Sequence, residues 1–77
     1  MNETLDIVDA RGLACPHPVL LARARLRDAS VGTRIVLLAN DPLAGVDVHA
    51  FCLRAGHRLL LEERVDDHVR FTIERVA

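Results

Sequence analysis

Apolar and polar positions along this chain follow two different periods, and the points where the period changes mark out the elements. After a polar lead at residues 1–4, residues 5–9 (Leu-Asp-Ile-Val-Asp) form a short β-rich run that Gly12 breaks. From Pro16 the spacing becomes helical, with Val19, Ala22, Leu26 and Ala29 on one stripe, until residues 30–33 with Gly32 stop it. Residues 34–39 (Arg-Ile-Val-Leu-Leu-Ala) are a continuous apolar run, the pattern of a strand covered on both faces or nearly so. Asn40-Asp41-Pro42 turns the chain. Val48, Phe51, Cys52 and Ala55 then recur at i, i+3, i+4 and i+7, a second amphipathic helix closed by Gly56. Leu59, Leu61, Glu63 and Val65 alternate with Leu60, Glu62 and Arg64, predicting a third strand. Asp66-Asp67-His68 is a turn. Val69, Phe71 and Ile73 alternate with Arg70, Thr72 and Glu74, a half-buried fourth strand.

The predicted order is therefore β-α-β-α-β-β. The first two strands, joined through a helix, are expected to be parallel with a right-handed crossover, and the last two to form an antiparallel hairpin. Each helix has one apolar stripe, so both should pack on one face of a mixed four-stranded sheet, an α/β two-layer sandwich. Leu21 lies nearly opposite the first helix's stripe and reads as an isolated exposed leucine. Residues 1–77 are expected to form one domain, because a chain this short supports only one core.

Composition narrows the chemistry. Half of the residues are hydrophobic, which argues against disorder, but only Phe51 and Phe71 are aromatic, so the core is aliphatic. The formal net charge is −1 and all ten basic residues are arginine. Schiff-base lysine chemistry is excluded. There is no basic stripe and no stacking aromatic surface to hold nucleic acid. No apolar run reaches membrane-spanning length and no leader-like segment stands at the N-terminus, so a cytoplasmic protein without membrane attachment is expected. In that compartment two cysteines are expected as free thiols.

The chemistry concentrates in residues 11–19, Arg-Gly-Leu-Ala-Cys-Pro-His-Pro-Val. Cys15 stands between a strand and a helix start. Pro16 and Pro18 suit a first helical turn, where backbone N–H groups lack intrahelical partners. Gly12 is expected to make a backbone turn. A helix N-terminus lowers a thiol pKa, but the two prolines remove donors, so only modest activation of Cys15 is expected. Arg11 either solvates the loop or adds positive charge near the sulfur. A disulfide oxidoreductase wants a second thiol two residues away, and a hydrolase wants a base and an oxyanion hole. What is left is a single exposed sulfur on a rigid mount, able to accept a sulfur atom as a persulfide and hand it on.

These residues resemble the Cys-Pro-x-Pro signature of the TusA-like (SirA-like) sulfur-carrier family, and Asp9, Asp41-Pro42, Asp47, Phe51-Cys52 and Gly56-His57 resemble family positions in the same order. The resemblance implies a fold like the C-terminal domain of bacterial translation initiation factor three. It implies a sulfurtransferase in which Cys15 receives sulfane sulfur from a cysteine desulfurase or rhodanese and passes it to a downstream acceptor protein. Destinations within the family include 2-thiouridine in tRNA, molybdenum cofactor maturation and sulfur oxidation. Many members carry lysines in the first helix where this chain has Leu21, Ala22 and Arg23.

Other residues have plainer readings. Cys52 lies on an apolar stripe and is expected to be inert core. Asp41 and Asp47 read as turn and helix-start residues. Cys15 and His17 form one metal-like pair, but His49, His57 and His68 supply no matching second pair, so no metal is expected. No cofactor is expected beyond the covalent persulfide on Cys15, and the chain is expected to act as a monomer without direct contact to nucleic acid. The competing reading is a redox or regulatory protein-binding module without sulfur transfer.

Overall fold

The computed structural model describes residues 6–77. The polar lead and Leu5 of the first predicted strand lie outside them. The elements follow the predicted order: β1 (Asp6–Asp9), α1 (His17–Arg27), β2 (Arg34–Ala39), α2 (Ala44–Ala55), β3 (Arg58–Val65) and β4 (His68–Glu74). The sheet order is β1-β2-β4-β3, with β1 parallel to β2 and the other neighbours antiparallel. The mixed sheet with two helices is as the sequence predicts.

Register explains which side chains meet the helices. Val8 pairs with Leu37, Leu37 with Phe71, and Ile35 with Ile73. Side chains alternate between faces along a strand. Val8, Ile35, Leu37, Ala39, Phe71 and Ile73 therefore share one face, and they form the core with Ala22 and Leu26 of α1 and Ala44, Val48 and Cys52 of α2. On α1, Pro18 joins Ala22 and Leu26 as a buried residue, while Ala29 falls beyond the helix end at Arg27. β2 is buried nearly throughout, because Val36 on the other face is also covered. α2 ends as expected, with Gly56 in the left-handed region at φ 75°, where a side chain would be strained.

Two features depart from the predicted pattern. The alternation of β3 is interrupted by a register shift between Leu59 and Leu61: Leu59 pairs with Ile73, but Leu61 pairs with Thr72. An extra residue in one strand of an antiparallel pair switches every later side chain to the opposite face. Leu59 thus packs on the core while Leu61 is half exposed, and Glu62 turns toward α2, where His49 Nε2 lies 2.7 Å from its Oε1.

The second feature is Arg75. Its Nη1 donates to the carbonyls of Leu26 and Arg27, each at 3.1 Å, and to that of Ala29. The last carbonyls of a helix have no intrahelical donors, and a cation there also complements the helix dipole. Arg75 therefore closes the C-terminal end of α1 from across the fold. Arg75→Met keeps the stem and removes the donors. It is expected to destabilise the protein by about 1–2 kcal/mol, read as a fall in melting temperature of about 4–8 °C per kcal/mol. An unchanged melting temperature would show that water replaces the guanidinium at no cost.

Candidate functional site

The loop that carries Cys15 is pinned at both ends. Ala10 N–H donates to Leu38 O at 2.8 Å, extending the β1–β2 ladder, and Leu13 N–H donates back to Ala10 O at 3.2 Å. Gly12 makes the turn with φ +83°, a conformation open to glycine, and its N–H donates to Asn40 Oδ1 at 2.9 Å. Asn40 directly follows β2, so the two parallel strand ends are tied together under the loop. On the far side His17 N–H donates to Ala14 O at 2.9 Å, and α1 begins with Pro16 as its N-cap. The Cys15–Pro16 peptide is cis. Cys15 is a free thiol, partly exposed, at the carboxyl ends of parallel strands, where open α/β sheets offer crevices.

Its environment differs from the expected one. Asp47, in the first turn of α2, brings Oδ2 to 2.6 Å from Cys15 Sγ, with the thiol donating to the carboxylate. That hydrogen bond, then burial, then the negative charges of Asp47 and Asp41 push the Cys15 thiol up rather than down. The helix N-terminus supplies little to oppose this. The N–H groups of His17 and Leu20 are taken by Ala14 O and Pro16 O and the prolines have none, which leaves that of Val19. Arg11 adds no charge to the sulfur. Its backbone N–H, Nε and Nη2 all engage Asp9, at 3.1, 2.9 and 2.8 Å, and its guanidinium holds the Asp9 carboxyl down at about 2.

The remaining sequence candidates fall as follows. Pro16 is exposed beside the sulfur, whereas Pro18 is buried beneath α1. Asp41 is a turn residue whose Oδ2 accepts from Leu43 N–H at 3.1 Å. Cys52 is 5 % exposed inside the core, and burial pushes its thiol up. Among the described residues no three His, Cys, Asp or Glu side chains gather as metal ligands would. No helix among them is long and apolar enough to cross a membrane.

The sequence reading missed two parts of the site. One is the contact between Asp47 and Cys15. The other is a groove of about 610 Å³ between α1 and α2, floored by Pro16, Val19 and Leu20 from one helix and Val46, Ala50 and Phe51 from the other. Asp47 lies in its wall beside Cys15, and Arg23 and Arg54 line it too, neither in an ion pair among the described residues. A signal existed: Val46 and Leu20 are apolar but lie off their helices' buried stripes, and both are exposed.

Comparison with known proteins bears on the family and the fold. The family model described as "Sulfurtransferase TusA" matches residues 6–75. A protein of Pseudomonas syringae pv. syringae named "Sulfur carrier protein TusA" is 38% identical over 63 residues, covering 80% of this chain and 75% of its own. The protein of the same name from Pseudomonas savastanoi pv. phaseolicola is 36% identical over the same share. Among solved structures, the SirA-like protein of Desulfitobacterium hafniense superposes with a TM-score of 0.81 at 20% identity, over 95% of this chain and 100% of that one, which speaks to the fold. Cys15 thus stands on a fold shared with a SirA-like protein, in a chain whose match runs from the start of β1 past the end of β4, and this chain belongs to the TusA sulfurtransferase family.

Proposed function

We propose that this protein is a sulfur relay, in which Cys15 accepts sulfane sulfur as a persulfide and passes it to another protein. The observation that carries the reading is a partly exposed free thiol on a pinned loop at the end of an apolar groove, in a chain whose relatives are named sulfur carriers. The fixed loop keeps the sulfur presented, and the groove offers apolar surface on which a visiting protein would dock. The donor is a cysteine desulfurase or a rhodanese, each of which holds sulfur as a persulfide. The Cys15 sulfur attacks the outer sulfur of that persulfide. One S–S bond forms as the other breaks, the donor's inner sulfur leaves as a thiol carrying the proton Cys15 gave up, and no net oxidation occurs. Transfer to the acceptor repeats the exchange with roles reversed, toward tRNA thiolation, molybdenum cofactor maturation or sulfur oxidation.

The test is intact-mass spectrometry after incubation with a cysteine desulfurase and cysteine. One added sulfur is expected, mapped to the peptide containing Cys15 and removed by a reductant. A protein that gains no sulfur from either a desulfurase or a rhodanese would leave the regulatory-module reading in its place.

A further inference from the structure

Asp47 has no part in the relay as described, yet its carboxylate accepts a hydrogen bond from the reacting atom, with Oδ2 2.6 Å from Sγ. The two residues come from different elements, and the fold holds both. Asp47 sits in the first turn of α2, its N–H bonded to Leu43 O at 3.1 Å, and Cys15 sits on the loop that Asn40 and Gly12 secure. A carboxylate only accepts hydrogen bonds. The contact is therefore favourable only while Sγ carries a hydrogen. A thiolate in the same place meets a like charge. In a persulfide the hydrogen or the charge belongs to the outer sulfur, so Sγ turns only lone pairs toward Asp47.

We propose that Asp47 is a positioning residue that biases Cys15 toward its unloaded thiol, so that the protein gives sulfur up more readily than it keeps it. This inference rests on the relay reading. In the exchange with a small carrier, R–S–SH + Cys15–SH ⇌ R–SH + Cys15–S–SH, sulfur and hydrogen balance on both sides and nothing is oxidised. Only the left side has the thiol–carboxylate hydrogen bond, so that bond pulls the equilibrium leftward. Of the other charged groups near the site, Asp41 acts in the same direction as Asp47, Arg11 is committed to Asp9, His17 Nδ1 lies against Ala14 O at 3.3 Å, and Arg23 and Arg54, which line the groove with Asp47, are not among the groups that shift the thiol.

The experiment uses glutathione persulfide as the probe, at several fixed ratios to reduced glutathione, with the loaded fraction read by intact mass. Asp47→Asn keeps the shape and removes the charge. It is expected to raise the loaded-to-unloaded ratio by about tenfold, the order set by a hydrogen bond to a charged group. A second readout is the pH dependence of iodoacetamide alkylation at the Cys15 peptide. The wild-type midpoint is expected above the free-cysteine value of about 8.5, falling in Asp47→Asn. Equal loading of wild type and variant, or a wild-type midpoint at or below that of free cysteine, overturns the proposal. A wild-type midpoint at or below that of free cysteine overturns the proposal even if the variant does not fold. If wild type takes no sulfur at any ratio, the relay reading fails, while the alkylation midpoints still report on Asp47.

Discussion

Phe71→Ala is expected to remove a large share of the stability of this protein. Phe71 is 1 % exposed and occupies the middle of β4, the strand flanked by β2 and β3. It pairs with Leu37 on one side and Glu62 on the other, and its ring joins a core whose other members are aliphatic or small. Truncating a buried phenylalanine costs about 3–5 kcal/mol, from lost transfer free energy and from the cavity left behind. At roughly 0.05–0.15 kcal/mol per residue, a chain of 77 residues has about 4–12 kcal/mol in total. The neighbours cannot close the gap easily, because Leu37 and Ile73 are fixed by the sheet ladder and Val48 and Cys52 by α2. In urea the midpoint should fall by about a quarter or more of its wild-type value with the slope little changed, or the variant should be unfolded at the start. Phe71→Leu, which refills much of the volume, should recover the larger part of the loss. A cost below about 1 kcal/mol would be that of an ordinary surface change and would mean the core repacks around the missing ring.

What the sequence revealed and what it concealed divide along a physical line. Periodicity is a local property, so the stripe of α2, the alternation of Val69, Phe71 and Ile73, and the left-handed closure at Gly56 were all legible, and each recurs in the structure. The bulge in β3 was not. Leu60 is as good a strand residue as its neighbours, and nothing in a run of three leucines says which one is left out of the ladder. The clasp of Arg75 on α1 was equally hidden, since it joins residues 46 to 49 positions apart and depends on where β4 ends relative to α1. The site divides in the same way. That Cys15 stands on a turn before a helix could be read from Gly12, Pro16 and Pro18 alone. The direction of its pKa shift could not. The helix dipole and the prolines act on Cys15 from nearby in sequence, whereas the group that decides the outcome, Asp47, is 32 residues away and reads there as a helix-start carboxylate.

The two cysteines are expected to give opposite results when each is replaced by serine. Cys15→Ser removes the only sulfur that the loop presents. A hydroxyl cannot form an S–S bond, so sulfur loading from any persulfide donor should fall to background. The fold should persist, because the serine hydroxyl still donates to Asp47 and the loop is held by Ala10, Gly12 and Asn40 rather than by the side chain at position 15. Cys52→Ser reverses the pattern. Cys52 packs among Val48 and the sheet core at 5 % exposure, so the substitution buries a hydroxyl among apolar neighbours, a change costing about 1–3 kcal/mol. Its thiol is pushed up by burial and shut away from any visiting protein, so the nucleophile for exchange is scarce as well as unreachable. Cys52→Ser should therefore melt at a lower temperature and load sulfur on Cys15 as wild type does. Measuring melting temperature and sulfur gain on the same samples separates the two roles. Sulfur that still appears on Cys15→Ser, mapped to Cys52, would mean that the core opens often enough to expose α2's inner face, and the relay would then have to be assigned to a different thiol.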